Sequence, residues 1–109
     1  MLEPLLGSAT REKVLIYLFA RGEGYAREIA RFFGTDYRPV RNQLDRLESG
    51  GVVRSASAGR TLIYRFNPRY PLLGELKALL EKTLRFYPEQ DRERLVMERR
   101  RPRRRGKPL

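Results

Sequence analysis

The chain has 109 residues, with 24 Lys or Arg against 13 Asp or Glu, and its formal net charge at pH 7 is +11. This length allows one domain, or one domain with a tail, and so basic a balance indicates a polyanionic partner, usually nucleic acid. The absence of Cys and His excludes disulfides, zinc fingers, thiol catalysis and imidazole bases. No apolar run approaches the roughly 20 residues that span a bilayer, and a signal-peptide pattern is missing. We therefore expect a cytoplasmic protein without membrane association and without a cofactor.

The positive charge is concentrated at the C-terminal end. Residues 92–109 contain nine Lys or Arg and two Glu, a net charge of +7, whereas residues 1–91 contain fifteen and eleven, a net charge of +4. We predict a folded domain over residues 1–87 and a basic, partly disordered tail over residues 88–109. Two interpretations of the Arg-rich tail stay open. It is an arm that neutralises DNA phosphates, which we favour, or a solubilising segment or contact for an acidic partner.

Two helices are predicted after a short apolar start. Ser8 or Thr10 suits the N-cap of a helix over residues 11–20, and a glycine pair follows its end. Four apolar residues at helical spacing form a stripe that we interpret as core: Val14, Leu15, Leu18 and Phe19. A second helix is predicted over residues 25–33, with Arg27 facing outward. The apolar start either covers the core or meets a partner chain, through Leu2, Leu5 and Leu6.

A third helix, over residues 37–48, is predicted to have one buried and one polar face. Asp36 suits its N-cap, because a carboxylate there can accept hydrogen bonds from N–H groups of the first turn. The residues at core-facing spacing are Val40, Leu44 and Leu47. Gly50 and Gly51 end the helix. The outward face then carries polar side chains, with Tyr37 at the start: Arg38, Arg41, Asn42 and Asp45.

A β-hairpin is predicted to follow the third helix. Val52 and Val53 begin the first strand, residues 55–60 supply a loop of small residues, and residues 61–66 supply a return strand rich in β-formers. The inward face of the return strand carries Leu62, Tyr64 and Phe66. Residues 54–61 would form a wing with Arg60 at or near its tip, and with Ser55 and Ser57 placed to donate to phosphates.

A fourth helix is predicted over residues 72–87, before Pro88. Its leucines occupy more than one narrow stripe, namely Leu72, Leu73, Leu76, Leu79, Leu80 and Leu84. Such a helix either packs wholly inside one chain or forms an interface between two chains. Together these elements predict a fold that is mainly α with a small β-hairpin (α+β), a winged helix-turn-helix.

The order of these elements carries the functional prediction. In a helix-turn-helix the second helix enters the DNA major groove, where Arg pairs with guanine and Asn with adenine. Arg46 lies partly off this face and either contacts a phosphate or forms an ion pair with Asp45 or Glu48. The predicted DNA-binding residues are Arg27, Tyr37, Arg38, Arg41, Asn42, Arg46, Ser57 and Arg60.

From about residue 6 to residue 83 the chain resembles winged-helix transcriptional regulators of the arsenical-resistance-repressor (ArsR) type. The matching segments are residues 10–15, 25–30 and 40–53, and Gly59-Arg60 before Tyr64-Arg65. The resemblance implies a homodimer, expected to be a repressor, that reads a pseudo-palindromic operator in double-stranded DNA. It also implies a dimer interface of the N-terminal segment and the fourth helix: Leu2, Leu5, Leu73, Leu76, Leu80 and Leu84. Metal-sensing members bind metal through Cys, His or paired carboxylates. Because this chain contains no Cys or His, we expect no metal effector here.

Two other classes of function are alternatives to a DNA-binding regulator: a docking module for protein or RNA, and an enzyme. A winged helix also serves to dock protein or RNA, in which case the outer face of the third helix more often exposes apolar residues. No phosphate-binding loop, nucleotide fingerprint or nucleophile motif occurs in the sequence. Carboxylates such as Asp45 and Glu48, set among arginines, are better explained by surface ion pairs than by catalysis. We therefore do not expect an enzyme.

Overall fold

The computed structural model describes residues 1–100 of the chain, with side chains as far as residue 96. These residues form six α-helices and one antiparallel hairpin, which confirms the predicted fold class. The elements, in chain order, are α1 (Glu3–Leu6), α2 (Ala9–Arg21), α3 (Ala26–Phe33), α4 (Tyr37–Ser49), β1 (Val53–Ala58), β2 (Thr61–Phe66), α5 (Leu73–Arg85) and α6 (Glu89–Arg100).

Helix α2 is the centre of the domain. Ser8 caps it, because its side chain accepts a hydrogen bond from the Arg11 N–H at 3.0 Å, and Gly22 ends it with a left-handed φ of 88°. The helix is buried almost all round, and it contacts all five other helices and β2. The predicted apolar stripe is therefore core, together with neighbouring positions such as Ile16 and Tyr17, except for Phe19, which is half-buried against the core.

Helices α3 and α4 form the helix-turn-helix. Gly34 ends α3, and α4 packs against both α3 and α2. Val40 and Leu44 are buried, as predicted, while Leu47 is half-buried against the core. The predicted capping role of Asp36 is wrong in one respect: it occupies the N-cap position, but its side chain makes no capping hydrogen bond within the described residues. The carboxylate is exposed, so water is available to it instead.

The hairpin is longer and its turn tighter than predicted. Strand β1 pairs with β2 from Val53 opposite Phe66 to Ala58 opposite Thr61, which leaves Gly59 and Arg60 as the turn. A glycine with positive φ, here 66°, at the first of two turn residues is the arrangement of a type II′ turn. The predicted small-residue loop was wrong because ladder hydrogen bonds come from the backbone, so exposed Ser and Ala can also extend a strand.

The folded unit continues beyond the boundary expected at residue 87. Pro88 begins a new helix: its carbonyl accepts from the Asp91 N–H at 3.0 Å and the Arg92 N–H at 3.1 Å. Helix α6 packs on α2, and its Leu95 is only 1% exposed. The Arg21 side chain donates from Nε to the Leu95 carbonyl at 2.8 Å. The first part of the predicted tail is thus helix, and residues 101–109 lie outside the described residues.

Candidate functional site

Helix α4 presents a polar face to solvent on the side away from the core. Arg38, Asn42 and Arg46 are exposed, and Arg41 is half-buried beside them. This division follows from helical periodicity, since Val40 and Leu44 occupy the opposite side and are buried. Among residues 1–96, the large exposed apolar side chains all lie outside α4 and the hairpin. The face can therefore offer hydrogen bonds and positive charge, but no apolar docking surface.

A shallow groove joins α3, α4 and the hairpin. Its volume is about 220 Å³, and it brings together four of the predicted DNA-binding residues: Arg27, Tyr37, Arg41 and Arg60. Arg60 reaches the groove from the hairpin turn, as the prediction placed it, while Ser57 is exposed on β1. Three guanidinium groups around one concavity create a positive potential that attracts a polyanion.

Tyr37 organises the cations at the start of α4. The Arg27 guanidinium lies over its ring at 4.5 Å from the centroid, and that of Arg38 lies at 5.8 Å. Its hydroxyl accepts a hydrogen bond from Arg41 Nη1 at 3.2 Å. One aromatic side chain thus orders three arginines by cation–π and hydrogen-bond contacts.

Arg41 is also held by Asp45, one turn along the helix. Its Nε donates to Asp45 Oδ1 at 3.1 Å, and the same oxygen accepts from the Tyr64 hydroxyl at 3.4 Å. The hydrogen bonds to Asp45 and Tyr37 raise the pKa of Arg41 above its usual range, so its charge is permanent. Burial raises the pKa of Tyr64, which keeps its proton for donation. The ion pair that was one of the two alternatives for Arg46 is not formed within residues 1–96, so that side chain stays available for a phosphate.

The hairpin is fastened at two places, to α4 and to the loop between α2 and α3. Glu48 Oε2 accepts from the Ser55 N–H at 3.1 Å and from the Ser55 hydroxyl at 2.9 Å. Ser55 is therefore not the free phosphate donor expected from the sequence. Tyr64 pairs with Gly24 through both backbone groups, at 2.8 and 3.0 Å. Sequence reasoning missed the roles of Glu48 and Tyr64. The signal for Tyr64 was its hydroxyl group on a strand face that is otherwise apolar.

The expected dimerisation residues divide into two sets. Leu2 and Leu80 are buried in the core of the chain itself, and Leu73, Leu76 and Leu84 are half-buried against it. A different stripe, along α5 and its two flanking residues, is exposed: Leu72 at 57%, Leu79 at 38% and Phe86 at 63%. Their spacing of seven residues places them on one helix face. Leu5 and Met1 are also exposed, and Met1 and Phe86 border one groove.

A buried carboxylate, that of Glu12, ties the N-terminal segment to the residues that follow α5. Glu12 is 5% exposed and accepts from the Leu2 N–H at 2.8 Å and from the Tyr87 hydroxyl at 2.6 Å. Burial alone would raise the pKa of Glu12, but the hydrogen bonds from Tyr87, Leu2 and the N-terminal ammonium outweigh it and lower the pKa. Sequence reasoning missed this contact, because Glu12 and Tyr87 lie 75 positions apart in the chain.

Metal-binding and membrane-spanning features concern the same described part of the chain. Within the described residues, no group of three or more Asp or Glu side chains is arranged to hold a metal ion. No helix of the described part is long and apolar enough to cross a membrane.

Comparisons with known proteins identify similar solved structures. The AntR antimony-specific transcriptional repressor matches with a TM-score of 0.61 and 28% identity over 76% of this chain and 70% of that one. The homodimeric winged helix-turn-helix DNA-binding domain of Mb0332 from Mycobacterium bovis, a possible ArsR-family regulator, matches with a TM-score of 0.56 and 27% identity, over 75% and 73%.

A third structure supports the fold alone. ZitR from Lactococcus lactis, in its apo form, matches over 97% of this chain and 89% of that one, with a TM-score of 0.55 and 14% identity. No protein-family model matches the chain, and a search of curated proteins finds no match.

Proposed function

We propose that this chain, an ArsR-like winged helix-turn-helix protein, is a DNA-binding transcriptional regulator. The observation that carries the proposal is the polar face of α4, which shares one groove with cations from α3 and the hairpin turn. A helix with outward Arg and Asn suits the major groove, and Arg60 on the wing suits the adjacent backbone or minor groove. Mb0332 and AntR, which are similar in fold and sequence, are a DNA-binding domain and a repressor by name.

Individual residues have different proposed roles at the DNA. Arg38, Arg41 and Asn42 read base edges from α4, since their side chains lie on its outward side. Arg27 and Arg46 contact phosphates, because Arg27 is exposed at the start of α3 and Arg46 has no ion pair among the described side chains. The Arg-rich residues 99–107 add sequence-independent affinity.

The regulator is proposed to act as a homodimer and as a repressor on a pseudo-palindromic operator. The exposed Leu72–Leu79–Phe86 stripe, together with Leu5, supports the dimer, because a chain of this size does not otherwise hide these side chains. This revises the interface expected from the sequence, since Leu2 and Leu80 are buried within one chain. The name of Mb0332, which describes a homodimer, agrees with this proposal.

The dimer is tested by Leu79→Glu, which places a charge in the exposed stripe. We expect sedimentation at micromolar concentration to show dimers for the unchanged protein and monomers for this variant. Lys77→Glu, on the same helix at another exposed position, is the matched control and should stay dimeric. A monomeric unchanged protein would remove the dimer from the proposal.

The DNA-binding proposal is tested by selecting bound sequences from a random duplex pool. A palindromic consensus is expected. Arg41→Ala should then weaken binding to that site by about 1–3 kcal/mol and relax the choice of base at one position. Arg85→Ala, an exposed arginine on α5, removes the same charge and should leave base choice unchanged. Loss of affinity that is equal on random DNA would make Arg41 a phosphate contact only.

The alternative function, docking of protein or RNA, makes a different prediction. A docking module more often exposes apolar residues on α4. The large exposed apolar side chains of residues 1–96 lie elsewhere: on the N-terminal segment, along α5 and its flanks, and on α6. Enrichment of structured RNA over duplex DNA in the same selection would favour this alternative.

A further inference from the structure

Asp45 is a carboxylate on the face that the proposed function turns toward DNA phosphates. Its side chain is 53% exposed, and like-charge repulsion makes it unfavourable for DNA affinity. We propose that Asp45 is a positioning residue that, together with Tyr64 of the hairpin, orients the Arg41 guanidinium to read a guanine. This inference rests on the proposed function, and it assigns a determinant of base specificity within it.

The contacts around Arg41 restrict the rotation of its guanidinium. Asp45 Oδ1 takes the Nε–H at 3.1 Å, and the Tyr37 hydroxyl takes an Nη1–H at 3.2 Å. Two acceptors on different sides of a planar fork define the plane in which the fork lies. A long side chain that is ordered before binding loses less conformational freedom when it meets a base.

The same contacts decide which edge of Arg41 remains available. Bidentate pairing with guanine O6 and N7 needs two N–H groups side by side. Because Nε donates to Asp45, the edge that joins Nε to an Nη group is partly used. One of the two Nη1 N–H groups donates to Tyr37, so the second Nη1 N–H and those of Nη2, at the terminal end of the fork, are left for a base. We therefore infer an end-on approach of Arg41 to the base.

Asp45 takes its own position from the hairpin as well as from α4. The Tyr64 hydroxyl donates to the same Oδ1 at 3.4 Å, and the Tyr64 ring is buried. The Tyr64 backbone is fixed in turn by its pairing with Gly24 in the loop between α2 and α3. The wing thereby helps to place a base-reading side chain on the helix, beyond any contact that the wing itself makes with DNA.

A carboxylate in this position raises specificity in two ways. It orders the contact with the correct base, and it weakens attraction to phosphates on every sequence. These two effects are separable, because Asn retains an oxygen that accepts from Arg41 and Tyr64, whereas Ala retains none. Asp45→Asn and Asp45→Ala remove the same charge.

The experiment measures affinity for the selected consensus duplex and for duplexes changed at the guanine that depends on Arg41. For Asp45→Ala we expect discrimination to fall about tenfold, within the roughly 5- to 150-fold that one bidentate contact supplies. Asp45→Asn should stay within about twofold of the unchanged protein, and Tyr64→Phe should fall between the two. Both Asp45 variants should bind random DNA more tightly. Glu93→Ala, an exposed acid on α6, is the control for charge and should leave discrimination unchanged.

Several outcomes would overturn the inference. Equal loss of discrimination in the Asn and Ala variants would show that only the charge matters, and no loss in either would remove Asp45 from base reading. A consensus with no guanine that depends on Arg41 would also defeat it, while leaving the proposed function standing. If the unchanged protein selects no duplex sequence at all, the proposed function itself fails. Thermal unfolding of each variant separates these results from misfolding.

Discussion

Replacing Tyr87 by Phe should weaken the fold in a way that depends on pH. The Tyr87 hydroxyl donates to Glu12 Oε2 at 2.6 Å, and Glu12 is buried. Phe keeps the ring but removes the donor, which leaves one carboxylate oxygen without this partner. A hydrogen bond to a charged group contributes about 1.5–3 kcal/mol, and we expect a loss of about 2 kcal/mol near neutral pH.

The sign of the pH dependence follows from the pKa of Glu12. Folding lowers this pKa below its ordinary value of 4.5, so the carboxylate contacts stabilise the fold above that value. Their contribution is lost as the pH falls through the still lower pKa of the folded state. Burial and the hydrogen bond to Glu12 raise the pKa of Tyr87, so it remains a donor throughout. The effect of the substitution should therefore shrink to about 1 kcal/mol, the value of a neutral bond, in acid.

Urea unfolding of both proteins at equal concentration, over a pH series from about 7 down into acid below the lowered pKa of Glu12, measures this difference. Tyr70→Phe is the matched control, because Tyr70 is half-buried and its hydroxyl has no hydrogen-bond partner among the described residues. It should cost less than about 0.5 kcal/mol. An equal loss for Tyr87→Phe across the whole pH series would refute the role of the ionised carboxylate.

Two further pairs of substitutions test the packing. Gly24→Ala should destabilise by about 1–3 kcal/mol in thermal or urea unfolding, because its Cβ would lie 2.7 Å from Cε1 of the buried Tyr17 ring. The same change at Gly74, where a Cβ meets nothing within 4 Å on exposed α5, should instead stabilise by up to about 1 kcal/mol. Leu95→Ala should cost about 2–5 kcal/mol if α6 belongs to the folded unit. Val96→Ala, at a neighbouring position that is 41% exposed, should cost under about 1 kcal/mol. Equally small losses for the Leu95 and Val96 substitutions would show that α6 is not part of the folded core.

Helix α5 shows where sequence periodicity is no longer sufficient to predict which face is buried. Its leucines fill two adjacent stripes, and each stripe alone would make an acceptable buried face. The structure turns Leu80 and Thr83 into the core and leaves Leu72, Leu79 and Phe86 outside. This choice depends on the rotation of α5 about its axis against α2, a contact between segments that are far apart in the chain.

The α4 helix is the opposite case, because its two faces differ in chemistry. Only one side offers apolar residues, so Val40 and Leu44 had one possible orientation, and the polar side followed. The sequence also contained the signals for its end and for the hairpin, namely paired glycines and a β-rich strand.

What the sequence determined by itself was thus the order of the elements, their glycine stops and the polarity of the α4 faces, since capping, backbone freedom and helical spacing act over a few residues. Only the tertiary structure decided the contact of Tyr64 with Asp45, the attachment of α6, the exposed stripe of α5 and the Glu12–Tyr87 contact. The physical reason is that burial and hydrogen-bond geometry between distant segments depend on how whole elements pack, and local pattern carries no information on that packing.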